Sequence, residues 1–290
     1  MRWTAPTAKR TVRGMHNKSW MARLMAAPHV VWSILFILAP LAFVFYYAFT
    51  DKTGAFTLNN IKELGSASYL DIFTRSLCFA LAATAICLLV AYPLAYAISR
   101  AKPRSQKICI MLTMLPMWMN FLIRTYSIMA ILEDTGFLNS LLGRIGLPPL
   151  HIINTGGAVI FGMVYNYLPY MVLPIYTVLS KLDNRLLEAS ADLGCTPMQT
   201  FFKVVMPLSR SGVVSGVTMV FVPSVSTFYI SQKLGGGKFQ LIGDVIERQF
   251  QSAYNYNLGA AMSLVLMVLI LLSLAVMNRY SDEEEGGLVA

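Results

Sequence analysis

Charge is scarce in this chain. Of its 290 residues only 13% are Asp, Glu, Lys or Arg, while 56% are hydrophobic. A water-facing globular surface needs roughly 25% charged residues, so a soluble fold is excluded and an integral membrane protein is indicated. Histidine is rarer still: His16, His29 and His151 are too scattered to hold one metal. No Asp, Glu or His falls in the middle of an apolar stretch. That counts against a self-sufficient secondary transporter, which needs such groups for ion coupling or an internal repeat. The four cysteines, Cys78, Cys87, Cys109 and Cys195, show no C-x-x-C spacing and read as small apolar fillers. A phosphate-binding loop is missing too. Gly237-Lys238 lacks both the following Ser/Thr and the Gly five positions earlier. With no nucleotide site, metal cluster or paired catalytic groups, neither an enzyme nor a cofactor is expected.

What the chain has in quantity is apolar length. A membrane crossing takes about 20 apolar residues. Six stretches qualify, at about 30–49, 73–98, 108–132, 158–179, 212–230 and 258–277. The first is too long for a signal-peptide core, and no small-residue cleavage site follows it. Lys and Arg distribute unevenly over the loops. Fifteen fall in the N-terminal tail, the loops after the second and fourth spans and the residues after the sixth, against seven on the other side. The positive-inside rule then puts both termini in the cytoplasm. This asymmetry accounts for the net charge of +9 without a nucleic-acid partner.

One long polar passage interrupts the apolar pattern, "LLEASADLGCTPMQTFFKVVMPLS" at 186–209. On this topology it is cytoplasmic. Asp183 or Asn184 can cap a helix that runs through Glu188, Ala189, Ser190 and Asp192. Gly194 suits a helix end with positive φ. Thr196, Pro197 and Gln199 then spell a capping box with proline at the first helical position. Pro207 is expected to stop this second helix before the fifth span. The passage therefore reads as two short helices hinged at Gly194, either an ordinary structured loop or a rigid handle for a soluble partner.

Glu188-Ala189, Gly194 six residues after the Glu, and Val204, Met206 and Pro207 resemble the E-A-A loop of ABC-importer membrane subunits, with Ser190 in place of the second Ala. Three further stretches, "LLVAYPLAYAISR", "MWMNFLIRTYSIMAIL" and "GVTMVFVPSVSTFYISQKLGGG", resemble the permease subunits of spermidine/putrescine importers. Permeases for other solutes share much of that pattern. The resemblance implies an all-α, polytopic protein with the six-helix type I importer fold in a bacterial cytoplasmic membrane. It implies a basic tail at 1–27, a first helix and outer loop at 28–71, a transport domain at 72–279 with its coupling loop at 183–207, and an acidic tail at 280–290. The implied partners are a cytoplasmic ATPase dimer, a second permease subunit and an external polyamine-binding protein. Glu188, Ala189, Ser190, Asp192, Gly194 and Pro207 would then couple to the ATPase.

The spans carry a second group of candidates. In the third, Thr113, Asn120, Arg124 and Ser127 recur at helical spacing and are expected on one face. An intramembrane Arg is costly. Arg124 reads as a structural clamp on carbonyls or on an acid such as Glu133 or Asp134, or else as a lining group. The fourth span bends at Pro169 and Pro174, and the fifth is kinked at Pro223. Gly212 and Gly216 give the fifth a close-packing face. A polyamine offers ammonium groups joined by apolar links. Trp118, Tyr165, Tyr170 and Tyr229 can supply aromatic faces for it, and Asn120, Ser224 and Thr227 polar groups. The bland reading of these tyrosines is an interfacial belt. Leu241, Ile242, Val245, Ile246 and Phe250 form an apolar stripe, expected as an amphipathic helix on the outer surface.

Overall fold

A computed structural model describes residues 27–287. The basic tail up to residue 26 and the last three residues of the acidic tail lie outside the described residues. Among the described residues the chain is helical, with one isolated bridge between Thr50 and Phe56 and no strand.

Thirteen helices follow in order. They are α1 (Ala27–Ala48), α2 (Asn59–Leu64), α3 (Ala67–Arg100), α4 (Pro103–Trp118), α5 (Phe121–Leu132), α6 (Phe137–Arg144) and α7 (Gly156–Leu179). Then come α8 (Asn184–Asp192), α9 (Pro197–Leu208), α10 (Arg210–Ser226), α11 (Tyr229–Leu234), α12 (Ile242–Gln251) and α13 (Tyr256–Gly287). Four of them, α1, α3, α7 and α13, are long and apolar enough to cross a membrane unaided. Two bent pairs, α4 with the Phe121–Arg144 segment and α9 with α10, bring the candidate spans to six when each pair is counted as one.

α7 is the central helix, with 56% of its most apolar stretch buried. It packs on α3, α10, α11 and α5 around Met163, Met171, Val172 and Ile175. Gly212 of α10 sits directly against the backbone of α7, where a Cβ would come within 2.9 Å of the Pro174 carbonyl oxygen. α7 itself runs unbroken through Pro169 and Pro174. A second cluster joins α13, α12 and the C-terminal end of α1 through Met262, Ile242, Leu258 and Ala48. Asn257 ties the start of α13 to the segment after α1 by donating to the Thr50 carbonyl at 2.7 Å.

Two expectations are corrected here. The third span is not one helix. It breaks at Met119 and Asn120, and its axis turns through 96°. Asn120 caps the new helix, its side-chain oxygen accepting from the Leu122 N–H at 2.9 Å. Pro116 sits in the tightened last turn of α4, and the side-chain cap at Asn120 competes better than a continued ladder. Thr113 is therefore on a different helix from Arg124 and Ser127, and the shared face does not exist. Pro207 does not stop its helix either. A wide turn, with the Met206 N–H reaching the Phe201 carbonyl, carries α9 past the proline to Leu208. The bend of 65° falls instead at Ser209. The stripe of α12 does form an amphipathic helix, with its apolar face turned onto the bundle. Ile242 and Val245 are buried against α13 and α10, leaving the polar Arg248 and Gln251 outside. An apolar face of this width finds more to bury against the bundle than against water.

The fifth span also ends early. α10 passes Pro223 and stops at Thr227, before α11 resumes at Tyr229. The short helices α5 and α11 each follow a break in the chain, and they pack on each other.

Candidate functional site

The polar passage folds as two helices on a fixed hinge. Asp183 caps α8, its carboxylate accepting from the Arg185 N–H at 3.0 Å. Gly194 has φ +79°, in the left-handed region. Its N–H donates to the Ala191 carbonyl at 2.9 Å and the Cys195 N–H to the Ser190 carbonyl at 3.0 Å. Those two bonds form a Schellman motif, which satisfies the last carbonyls of α8. Thr196 and Gln199 complete the capping box of α9, with the Thr196 N–H donating to the Gln199 side chain at 2.9 Å.

Ser190 has a use that its small size alone did not indicate. It is buried, and its hydroxyl meets the Thr200 hydroxyl at 2.9 Å, joining α8 to α9 across the hinge. The root of α9 is anchored to α3. Phe201 packs edge-on against Tyr92 and Tyr96, and Tyr92 shares a hydrogen bond of 2.6 Å with Ser209. Arg100 at the end of α3 donates to the Asn184 side chain at 2.7 Å. The loop is thus joined to α3 and, through Ser209, to the start of α10.

The outer surface of the loop is apolar where a soluble loop would be polar. Leu193 is 84% exposed and Met198 67%, with Leu186 and Phe202 also open. Glu188, Ala189, Asp192 and Gly194 are exposed beside them, and Glu188 and Asp192 share a face at helical spacing. Pro207 is half-buried in the helix root. Exposed leucine and methionine together on a rigid projection mark an interaction surface.

The pathway candidates are not brought together. Trp118, Tyr165 and Tyr170 are exposed on the flank of the subunit, and Asn120 is spent on its cap. Ser224 is fully buried and donates to the Val220 carbonyl. Thr227 is buried at the break of α10. Tyr229 is half-buried and packs tilted against Phe121 and edge to face with Tyr126, each at 6.0 Å. A cavity of about 620 Å³ beside α5 is lined by Arg124 and Tyr165 but is otherwise largely apolar.

Arg124 is buried, and its guanidinium donates to the Pro116 carbonyl at 2.9 Å while lying 5.8 Å from the Phe121 ring. Neither Glu133 nor Asp134 is its partner, and Asp134 pairs with His151 at 2.9 Å. The arginine therefore bridges the two halves of the broken span, α4 and α5. Arg124→Leu is expected to leave the Pro116 carbonyl unsatisfied, at a cost of about 1–3 kcal/mol. The readouts are the yield and melting temperature of the detergent-extracted complex. If the variant assembles and melts normally and changes only substrate affinity, the clamp is wrong.

Sequence reasoning missed Tyr126 and Lys233, which share a site with Tyr229. Tyr126 stood inside a quoted stretch, but only the packing of α5 on α11 pairs it with Tyr229. On the other side of α11, Asp244 is 4% exposed and accepts from the Leu241 N–H at 2.8 Å. Burial pushes its carboxyl up to about 6.

The comparisons with known proteins agree with this architecture. The family described as "binding-protein-dependent transport system inner membrane component" matches residues 18–283. The spermidine/putrescine transport system permease protein PotB of Haemophilus influenzae is 39% identical over 256 residues, 86% of this chain and 90% of its own. The protein of the same name from Escherichia coli K12 is 36% identical over 260 residues, 87% of this chain and 94% of its own. Among solved structures, a bacterial ABC transporter involved in the import of the acidic polysaccharide alginate superposes with a TM-score of 0.75. It covers 92% of this chain and 96% of its own at 16% identity, a likeness of fold alone. By profile, relatives and fold, the chain belongs to the family of binding-protein-dependent transport system inner membrane components.

Proposed function

We propose that this chain is the permease subunit of an ATP-driven polyamine importer and forms half of its translocation pathway. The observation that carries the transport reading is the rigid α8–α9 pair, with exposed Leu193 and Met198 at its tip and its root locked to α3. Such a pair suits docking into a cleft on a cytoplasmic ATPase dimer, through Glu188, Ala189, Asp192 and Gly194. Closure of the ATPase would then move α3 and α10 and alternate the access of the pathway. A second permease subunit completes the pathway, and an external binding protein delivers the solute. Both termini are cytoplasmic in this reading, from the excess of Lys and Arg on that side.

The choice of polyamine rests on the relatives named for spermidine and putrescine. Aromatic faces hold an ammonium at about 0.5–2 kcal/mol each, weakly enough for release. A transporter of anions would be expected to line its path with free bases, whereas Arg124 is held by a carbonyl and Lys233 lies against two tyrosine rings.

Reconstitution tests the reading. Vesicles carrying the permease pair and ATPase, loaded with ATP and given the cognate binding protein, should take up labelled spermidine or putrescine. This chain alone should transport nothing. Uptake of sulfate or ferric iron without polyamine uptake would leave only the family assignment standing.

A further inference from the structure

Where the two broken spans meet, the chain holds one of its own ammonium groups between two aromatic rings. Tyr126 of α5 and Tyr229 of α11 stand edge to face at 83°, with centroids 6.0 Å apart. Lys233 follows Tyr229 by one helical turn. Its Nζ lies 5.3 Å from the Tyr126 centroid and 5.7 Å from that of Tyr229. Both distances are within cation–π range. The same lysine lines a polar cavity of about 300 Å³ together with Glu133, Asp134, Thr135 and Asn154. The ammonium thus rests on rings although two carboxylates border the cavity it lines.

The lysine side chain is a primary ammonium on a four-carbon stem. Putrescine is two primary ammoniums on a link of the same length. We propose that Tyr126 and Tyr229 form a primary-ammonium site on the translocation path, filled in this conformation by Lys233 as an internal competitor. The terminal ammonium of an incoming polyamine displaces Lys233 toward Glu133 and Asp134. Two adjacent rings cannot hold two like charges in contact, because ammonium–ammonium repulsion at a few ångströms opposes each ring's attraction. The carboxylates in the same cavity receive the displaced lysine, so the exchange strands no charge. Return of the lysine to the rings then favours release of the solute, which transit requires. This inference rests on the polyamine reading above.

The test uses the assembled permease pair and ATPase in detergent, without binding protein, titrated calorimetrically with butylammonium and separately with spermidine. Lys233→Met removes the charge and keeps the stem. It is expected to tighten binding of both probes by about tenfold. Lys233→Arg keeps a cation and should bind as the unaltered complex does. Lys233→Gln serves as a second neutral variant should the methionine form assemble poorly. Adding Tyr229→Leu to Lys233→Met should cancel the gain. Unchanged butylammonium affinity in both neutral variants, or a gain that persists without Tyr229, would overturn the proposal. Tighter butylammonium binding with no spermidine binding at all would support the ammonium site and overturn the polyamine reading instead.

Discussion

Gly194→Val is expected to abolish uptake by the assembled importer while leaving the amount of complex in the membrane unchanged. The residue has φ +79°, and a Cβ built there meets nothing within 4 Å. The effect is therefore one of backbone strain and not of packing. A β-branched residue in the left-handed region is an outlier, and such strain costs about 1–3 kcal/mol. Relief comes from rotation to negative φ. That rotation breaks the Gly194 and Cys195 bonds to Ala191 and Ser190 and re-aims α9 relative to α8. Leu193 and Met198 then no longer present one surface. The strain corresponds to a factor of about 5 to 150 in the population of the docking-competent loop. Asn tolerates this region better, so Gly194→Asn should retain much of the uptake. ATP-driven uptake, normalised to assembled complex, is the measurement. Normal transport by the valine variant would mean that the loop transmits nothing.

Gly212→Leu acts at the opposite level, on the packing of the bundle. A Cβ at this position lies 2.9 Å from the Pro174 carbonyl oxygen and 3.2 Å from the Ile175 Cα. Both are backbone atoms of α7, which cannot swing aside as a side chain can. The helices must separate, opening the core around Met171 and Ile175. Overpacking of this kind costs about 1–3 kcal/mol or more. In a membrane, small residues are what bring helices together. The variant should lose the monodisperse complex on size-exclusion chromatography. Gly216→Ala one turn on is the milder comparison, since the 2.7 Å approach there is to the flexible Met171 sulfur. A Gly212→Leu complex that extracts in normal yield would show that α7 and α10 do not need this contact.

The parts of the protein legible in its sequence are those set within a few neighbouring residues. Apolar length located the stretches that fold as four long helices and two bent pairs, because a bilayer imposes that length whatever the packing. The capping box at Thr196 and the positive φ at Gly194 were legible because only local backbone geometry decides them. The close approach at Gly212 followed from the lack of a side chain. Tertiary structure decided the rest. The break at Asn120 reflects a competition between a cap and a continued helix, and the Arg124 bond to Pro116 closes across it. The burial of the α12 stripe depends on α10 and α13 standing beside it. Ser190 joins Thr200 only because the hinge folds α8 onto α9. Tyr126, Tyr229 and Lys233 come together only because two separate breaks in the chain place the short helices α5 and α11 in contact. Local rules act through residues three or four apart, whereas these contacts depend on which surfaces meet when the whole bundle buries its helix faces.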